Sequence, residues 1–352
     1  MRLPVMLASV FAILATRLAT AAELPTLKVE NVRRVFHNGE HNAFTDLTQF
    51  RGRFYLAFRS CPDGHGVNPN SRIIVLSSAD GREWKEVAHF SVPKRDVRDP
   101  HFLIFQDKLF IYTGTWYCGD SAPKTYDMNQ HLGFAVWTDD GKKWSEPAML
   151  EGTYGHYLWR AAAHDGTAYL CGRRKQLFTE SDSGRGGSQA VEAALLESTD
   201  GLRWKTAGFF REKFGNETAF LFEPNGDLLA LCRGGGRGKA EAYICRSRAP
   251  FVNWERTALD RYIGGPLLVK WNGHYLAGGR QTTSGKPVTT LWWLKDNRLH
   301  EVAQLPSAGD NSYPGFAPVD QNRALLSWYS THEKGDNGKP FTAIYLADLK
   351  LE

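Results

Sequence analysis

Short apolar runs punctuated by Gly, Asn, Asp and Pro follow one another from Leu27 to Asp348. Leu27 to Phe36 alternates apolar and polar positions as a single strand does, and Phe44 to Phe50 with Arg53 to Arg59 reads as a hairpin around Arg51-Gly52. Ser71 to Leu76 and the stretch behind Trp84 complete a unit of four strands. The pattern then restarts at Arg98-Asp99-Pro100, Trp159-Arg160, Asn216-Glu217-Thr218, Gly264-Gly265-Pro266 and Asn311-Ser312-Tyr313-Pro314. No stretch carries the apolar spacing of an amphipathic helix, so the pattern predicts an all-β chain.

One turn recurs inside this series. Asp80-Gly81-Arg82-Glu83-Trp84, Asp140-Gly141-Lys142-Lys143-Trp144 and Asp200-Gly201-Leu202-Arg203-Trp204 each follow a short apolar run. Asp-Gly favours a hairpin because Gly accepts positive φ and Asp bonds its own backbone. The constant step between these turns marks repeated supersecondary units. Ser247 to Trp254 is a worn fourth copy, and Leu294 to Asn297 a fifth. Four strands per unit at this period fit the blade of a β-propeller. The expected fold is a six-bladed β-propeller of four-stranded antiparallel blades, with five blades as the alternative count. The last unit lacks a strand, and Leu27 to Phe36 is spare at the other end. Its closure of the last sheet would also hide an edge.

Met1-Arg2, the apolar stretch Leu3 to Ala15 and the small residues Ala19 to Ala22 read as a signal peptide over residues 1–22. Residues 23–352 are then one propeller domain, exported to a secreted or periplasmic location. No later run is long enough to span a bilayer. The formal charge of +5 comes without a basic cluster, so nucleic acid is not an expected partner. The five cysteines show no metal-type spacing. Cys61 with Cys118, or Cys232 with Cys245, could bridge in an oxidising compartment, with buried free thiols the equal alternative. A monomer is expected.

Residues that open the innermost strands of a propeller converge near one face of the central channel. Here they are Asp46, Arg98, Asp99, Arg160, Glu217 and Tyr313. Arg59, Arg233 and Arg280 end second strands, in Phe58-Arg59, Cys232-Arg233 and Gly279-Arg280, and would approach the same mouth. Arginine grips a carboxylate through two parallel hydrogen bonds, so an acidic ligand is the natural inference. Inter-blade salt bridges are the competing use of these charges.

The Asp-Gly-x-x-Trp turns resemble the Asp boxes of sialidases and related BNR-repeat proteins, a six-bladed propeller family. The order Glu217, Arg233, Arg280, Tyr313 is similar to the order of that family's site residues. The resemblance implies a glycoside hydrolase in which Tyr313 is nucleophile, Glu217 its base, and Arg233 and Arg280 clamp the carboxylate of an acidic glycan. A tyrosine suits such a substrate because a carboxylate nucleophile would be repelled by the substrate's own. The first blade departs from the family: Phe44-Thr45-Asp46-Leu47 places an acid where a clamp arginine belongs. Arg59, Arg98 and Arg160 are candidate replacements, and Asp63 is a loose counterpart of the family's acid/base residue.

Asp46, Asp99 and Glu217 define a second reading, since furanosidases and arabinanases use a comparable trio of two Asp and one Glu. A carbohydrate-binding propeller without activity is a third. His65, in Asp63-Gly64-His65-Gly66, and His332-Glu333 are weaker candidates at the mouth, as acid/base groups or sugar contacts, and Arg173-Arg174-Lys175 reads as a solvated loop. No metal and no cofactor are expected.

Overall fold

The computed structural model describes residues 24–179, 190–235 and 240–352. The expected signal peptide lies outside the described residues. Strand β1 spans Leu27–Phe36. Blade one follows as β2 (His41–Phe50), β3 (Arg53–Cys61), β4 (Arg72–Ser78) and β5 (Lys85–Phe90). Blade two is β6 (Arg95–Phe105), β7 (Lys108–Tyr117), β8 (Leu132–Thr138) and β9 (Ala148–Met149). Blade three is β10 (Tyr157–His164), β11 (Thr167–Lys175), β12 (Val191–Ser198) and β13 (Lys205–Arg211). Blade four is β14 (Thr218–Phe222), β15 (Leu228–Cys232), β16 (Tyr243–Ser247) and β17 (Trp254–Ala258). Blade five is β18 (Gly264–Trp271), β19 (His274–Thr283), β20 (Lys286–Lys295) and β21 (Arg298–Gln304). Blade six adds β22 (Asn311–Pro318), β23 (Arg323–Lys334) and β24 (Pro340–Leu351), with β1 as its outer strand.

Within each blade the strands pair antiparallel in chain order, and the first strands of successive blades touch in a closed ring. The protein is a six-bladed β-propeller, and the five-bladed count is set aside. Pairing of β1 with β24 runs from Leu27↔Leu351 to Phe36↔Ile344. Thr26 and Glu352 exchange backbone hydrogen bonds beyond it, and the Trp293 indole N–H donates to the Pro25 carbonyl at 2.9 Å. Leu27 is buried with Trp293, Trp328 and Leu349. The N-terminal strand therefore ties the last blade both by its ladder and by apolar burial.

The Asp-Gly turns join the third and fourth strands of blades one to three. Asp80 Oδ1 accepts from the N–H groups of Arg82 and Glu83, and Asp140 and Asp200 repeat this with their own successors. Glycine is required by the neighbouring blade as well as by the turn. At Gly141, φ is +73° and a Cβ would lie 1.9 Å from Tyr55 Oη of blade one. Gly81 abuts Leu325 of blade six and Gly201 abuts Tyr112 of blade two in the same way. Each box is thus a latch onto the preceding blade. Its repetition serves packing.

Five of the six innermost strands break register at a corresponding place. In β2 the break falls between Ala43 and Asp46, in β6 between Arg98 and His101, and in β22 between Ser312 and Gly315. Asp99-Pro100, Gly265-Pro266 and Tyr313-Pro314 occupy three of these bulges. Proline has no N–H to give the ladder, so an inner strand tolerates it only where pairing is already broken. Phe44, Asp99 and Tyr313 adopt left-handed backbone there, at φ +63°, +49° and +54°. Such a conformation costs a non-glycine residue about 1–3 kcal/mol and persists only where the surroundings impose it. The bulges re-aim these side chains out of the pleat.

Candidate functional site

The bulged strands open onto a cleft of roughly 450 Å³, lined by Arg98, Asp99, Glu217, Arg233, Arg280 and Tyr313 together with His65, Arg173, Asp310 and an aromatic wall of Trp116, Tyr126 and Tyr157. Tyr313 Oη donates to Glu217 Oε1 at 2.9 Å, and Arg233 Nη1 donates to Glu217 Oε2 at 2.5 Å. Both Glu217 oxygens are therefore engaged. Burial pushes the Glu217 carboxyl up, but Arg233 and Arg173 outweigh it and hold the group below the usual carboxylate range. Tyr313 moves the opposite way: burial and the Glu217 charge raise its phenol well above the ordinary value. An ionised carboxylate thus faces a protonated phenol across one hydrogen bond, the arrangement in which the carboxylate can take the phenol's proton. Phe44, Trp159 and Tyr329 rings surround Tyr313 at centroid distances of 5.0, 5.0 and 5.8 Å and fix its orientation.

Arg280 donates to the Asn311 carbonyl at 2.9 Å and lies 3.5 Å from Asp310 Oδ1. Asp99 also faces the cleft, with Oδ2 accepting from Tyr157 Oη and a buried Oδ1 without a partner. Burial, reinforced by the nearby Glu217 charge, pushes its carboxyl up to about 7.

The other sequence candidates have different surroundings. Arg59 is fully buried, with Nε on Asp96 Oδ1 at 2.9 Å and its terminal nitrogens on the carbonyls of Gly64 and Gly66. It is not among the cleft-lining residues, so its expected place at the mouth is corrected: Asp96 of the next blade captures it. Arg98 does line the cleft, yet Nε is bound to Asp96 Oδ2 at 2.7 Å and Nη2 to the carbonyls of His65 and Gly66. Asp46 and Arg160 form a buried pair at 2.6 Å and border a separate cavity with Leu47, Phe102 and Ala161. Asp46 also accepts from the Phe102 N–H. Its convergence with Asp99 and Glu217 in one cleft is therefore not found.

Sequence reasoning missed Arg173. The expected solvated loop is the end of β11, where Arg173 and Lys175 are buried and Arg174 pairs with Glu192. Arg173 Nη1 donates to Asn216 Oδ1 at 2.9 Å. The phrase Gly172-Arg173 is the same strand-end signal as Gly279-Arg280, hidden inside a charge run. Asp310 was missed as well. It gathers His41 at 3.1 Å, His65 at 2.8 Å and the Tyr329 hydroxyl at 2.9 Å. His41, His65 and Asp310 are the group among the described residues that could hold a metal, with ligand atoms within 4.8 Å of one another. All five cysteines are free and buried, and Cys232 Sγ lies 3.4 Å from Cys245 Sγ.

No protein-family model matches the chain, and no curated protein matches it. Solved structures do. A protein of unknown function from Dyadobacter fermentans superposes with a TM-score of 0.77 at 19% identity, covering 94% of this chain and 100% of that one. The Trypanosoma rangeli sialidase, solved as a covalent intermediate with 2,3-difluorosialic acid, gives 0.60 at 15% identity over 93% of this chain and 59% of its own. The NanB sialidase of Streptococcus pneumoniae gives 0.65 at 11% identity over 90% and 70%. The chain therefore has the propeller fold found in sialidases, and spans about 59% of the length of the trypanosomal enzyme.

Proposed function

We propose that the protein is an exported sialidase-like glycoside hydrolase that cleaves an acidic sugar, with Tyr313 as nucleophile, Glu217 as its base, and Arg233 and Arg280 as the carboxylate clamp. The observation that carries this reading is the 2.9 Å hydrogen bond from Tyr313 to an ionised Glu217 beside two guanidinium groups in one cleft. A fold shared with sialidases supports it by analogy only. Export rests on residues 1–22. In the first step Glu217 takes the Tyr313 proton as the phenol oxygen attacks the anomeric carbon. Arg233 and Arg280 hold the sugar carboxylate. Arg98 is spent on Asp96 and contributes its charge from the cleft wall. The direct test is a panel of aryl glycosides that includes sialosides, uronides and neutral arabinofuranosides: the carboxylated members should be hydrolysed. Turnover of the neutral members alone would sink the proposal.

Asp99 favours a second reading. A carboxyl that keeps its proton to about pH 7 beside an ionised carboxylate is the pairing used by two-carboxylate glycosidases. Asp99 would then be the acid and Glu217 the nucleophile or base, with Tyr313 dispensable. The trio expected for this chemistry is reduced to a pair, since Asp46 is held by Arg160 outside the cleft. Either reading requires Glu217, so Glu217→Gln should be inactive on both, and a variant that turns over as fast as the wild type would sink both.

A further inference from the structure

We propose that His65 is the acid/base residue of this cleft, protonating the departing glycosidic oxygen and then activating water, with Asp310 as its positioning residue. The assignment rests on the Tyr313 reading, which needs such a group.

His65 sits in the loop between β3 and β4, and the protein builds an unusual support beneath it. The buried Asp96 holds Arg59 through one oxygen and Arg98 through the other, at 2.9 and 2.7 Å. These two guanidiniums then donate to three successive carbonyls of the loop: Arg59 to Gly64 and Gly66, Arg98 to His65 and Gly66. The backbone on both sides of the imidazole is thereby fixed from below. The ring is fixed from the side, because Nδ1 lies 2.8 Å from Asp310 Oδ2. Asp310 cannot swing away. Tyr329 Oη donates to its Oδ1 at 2.9 Å, His41 Nε2 contacts Oδ2 at 3.1 Å, and Arg280 stands 3.5 Å off. Despite its buried surroundings Asp310 is kept ionised by His41 and His65.

An imidazole whose Nδ1 donates to a fixed carboxylate presents Nε2 as the exchanging nitrogen. The His65 side chain is half exposed and lines the cleft, its ring 5.7 Å from Phe44, which packs on Tyr313 at 5.0 Å. Besides tying blade one to blade two, the Arg59–Asp96–Arg98 cluster gives the partly exposed histidine a rigid support. Such support is what a proton-transfer group requires.

In the first step the Nε2 proton passes to the glycosidic oxygen. The bond from that oxygen to the anomeric carbon breaks, the electron pair leaving with oxygen, while Tyr313 Oη bonds the carbon and gives its proton to Glu217. In the second step water bonds the anomeric carbon and loses a proton to His65 Nε2. The Tyr313 oxygen departs and recovers its proton from Glu217.

The test compares two leaving groups on the carboxylated sugar that the wild type hydrolyses, 4-nitrophenol and a simple alcohol. A good leaving group needs no proton, so His65→Gln should lose roughly 10²-fold or more in kcat/KM on the alkyl glycoside and far less on the nitrophenyl one. Asp310→Asn should show the same leaving-group dependence, more weakly. Added azide should accelerate His65→Ala on the nitrophenyl substrate, because azide needs no base, and should not accelerate the wild type. Equal losses on both substrates, or a leaving-group dependence found in Asp99→Asn instead, would overturn the assignment. So would loss of wild-type turnover in EDTA with recovery on adding zinc, which would make His41, His65 and Asp310 metal ligands. A wild type silent on every carboxylated glycoside overturns the Tyr313 reading and this assignment with it.

Discussion

Arg160 meets Asp46 at 2.6 Å in a buried part of the channel and also donates to the Pro314 carbonyl, one residue beyond Tyr313. Burial raises the Asp46 carboxyl, and Arg160, His101 and the Phe102 N–H together more than reverse this, so the acid stays ionised against its counter-ion. His101, packed edge-on against Trp159, is pushed down to about 4 by burial and stands 3.6 Å away as a neutral ring. The acid that sequence placed at the mouth of the first blade is an inter-blade tie.

Asp46→Asn leaves the Arg160 charge buried without its partner, and removing one member of a buried pair typically costs about 3–5 kcal/mol. Denaturant unfolding should show a loss of this order, with part of it recovered in Asp46→Asn/Arg160→Met. A variant as stable as the wild type would show that the pair is not structural.

Deleting residues 24–36 should unlatch blade six. The deletion removes the whole β1–β24 ladder, the Trp293 bond to Pro25 and the burial of Leu27. Thermal unfolding monitored by tryptophan fluorescence should move to markedly lower temperature. An unchanged melting curve would contradict closure by the N-terminal strand.

This closure was legible in sequence because period-two alternation and turn chemistry are local properties. The same holds for the boxes, whose Asp and Gly act on backbone within a few residues. Fates of the strand-end arginines were not legible. Phe58-Arg59 and Cys232-Arg233 look alike, yet Arg59 is consumed by Asp96 of the next blade while Arg233 meets Glu217 in the cleft. The difference is made by a partner remote in sequence. Arg173 escaped notice because Arg173-Arg174-Lys175 looks like a solvated run, although alternation along β11 buries its first and third members. Asp310 carried no signal at all, since its role comes from His41 and His65 on the facing blade.

Asp99 should cost the protein stability. A folded-state value of about 7 against 3.8 for the free group means that the native state binds the proton more tightly than the unfolded chain. Stability contributed at this position is therefore full below pH 4 and lost as pH rises to 7. Each pKa unit is worth about 1.4 kcal/mol, so the loss is on the order of a few kcal/mol. Asp99→Asn should gain on the wild type progressively between pH 4 and pH 8 in unfolding experiments. A gap independent of pH would refute the raised value.

Arg280→Lys keeps the positive charge and discards the planar fork, so affinity for a carboxylated sugar should fall while a neutral sugar is little affected. Arg280 is the cleaner choice for this test, because Arg233 also holds Glu217. Equal wild-type affinity for a carboxylated sugar and its amide, measured by calorimetry, would count against the clamp.

The two catalytic readings part at Tyr313. Its hydroxyl is buried, protonated and bonded to Glu217, and the bulge at Tyr313-Pro314 holds the residue at φ +54°. If Tyr313 is the nucleophile, Tyr313→Phe removes the attacking oxygen without disturbing the ring contacts to Phe44 and Trp159. Turnover should then fall by at least roughly 10³-fold with little change in stability. A 2,3-difluoro derivative of the hydrolysed sugar should label Tyr313 in the wild type, seen as a modified peptide by mass spectrometry. On the Asp99–Glu217 reading the same variant keeps much of its activity, the label falls on Glu217 or on nothing, and activity declines as pH rises through about 7 with the loss of the Asp99 proton. Asp46 should stay unlabelled in every case, since Arg160 and the Phe102 N–H occupy its oxygens outside the cleft. A labelled Asp46 beside a silent Tyr313 would overturn both readings.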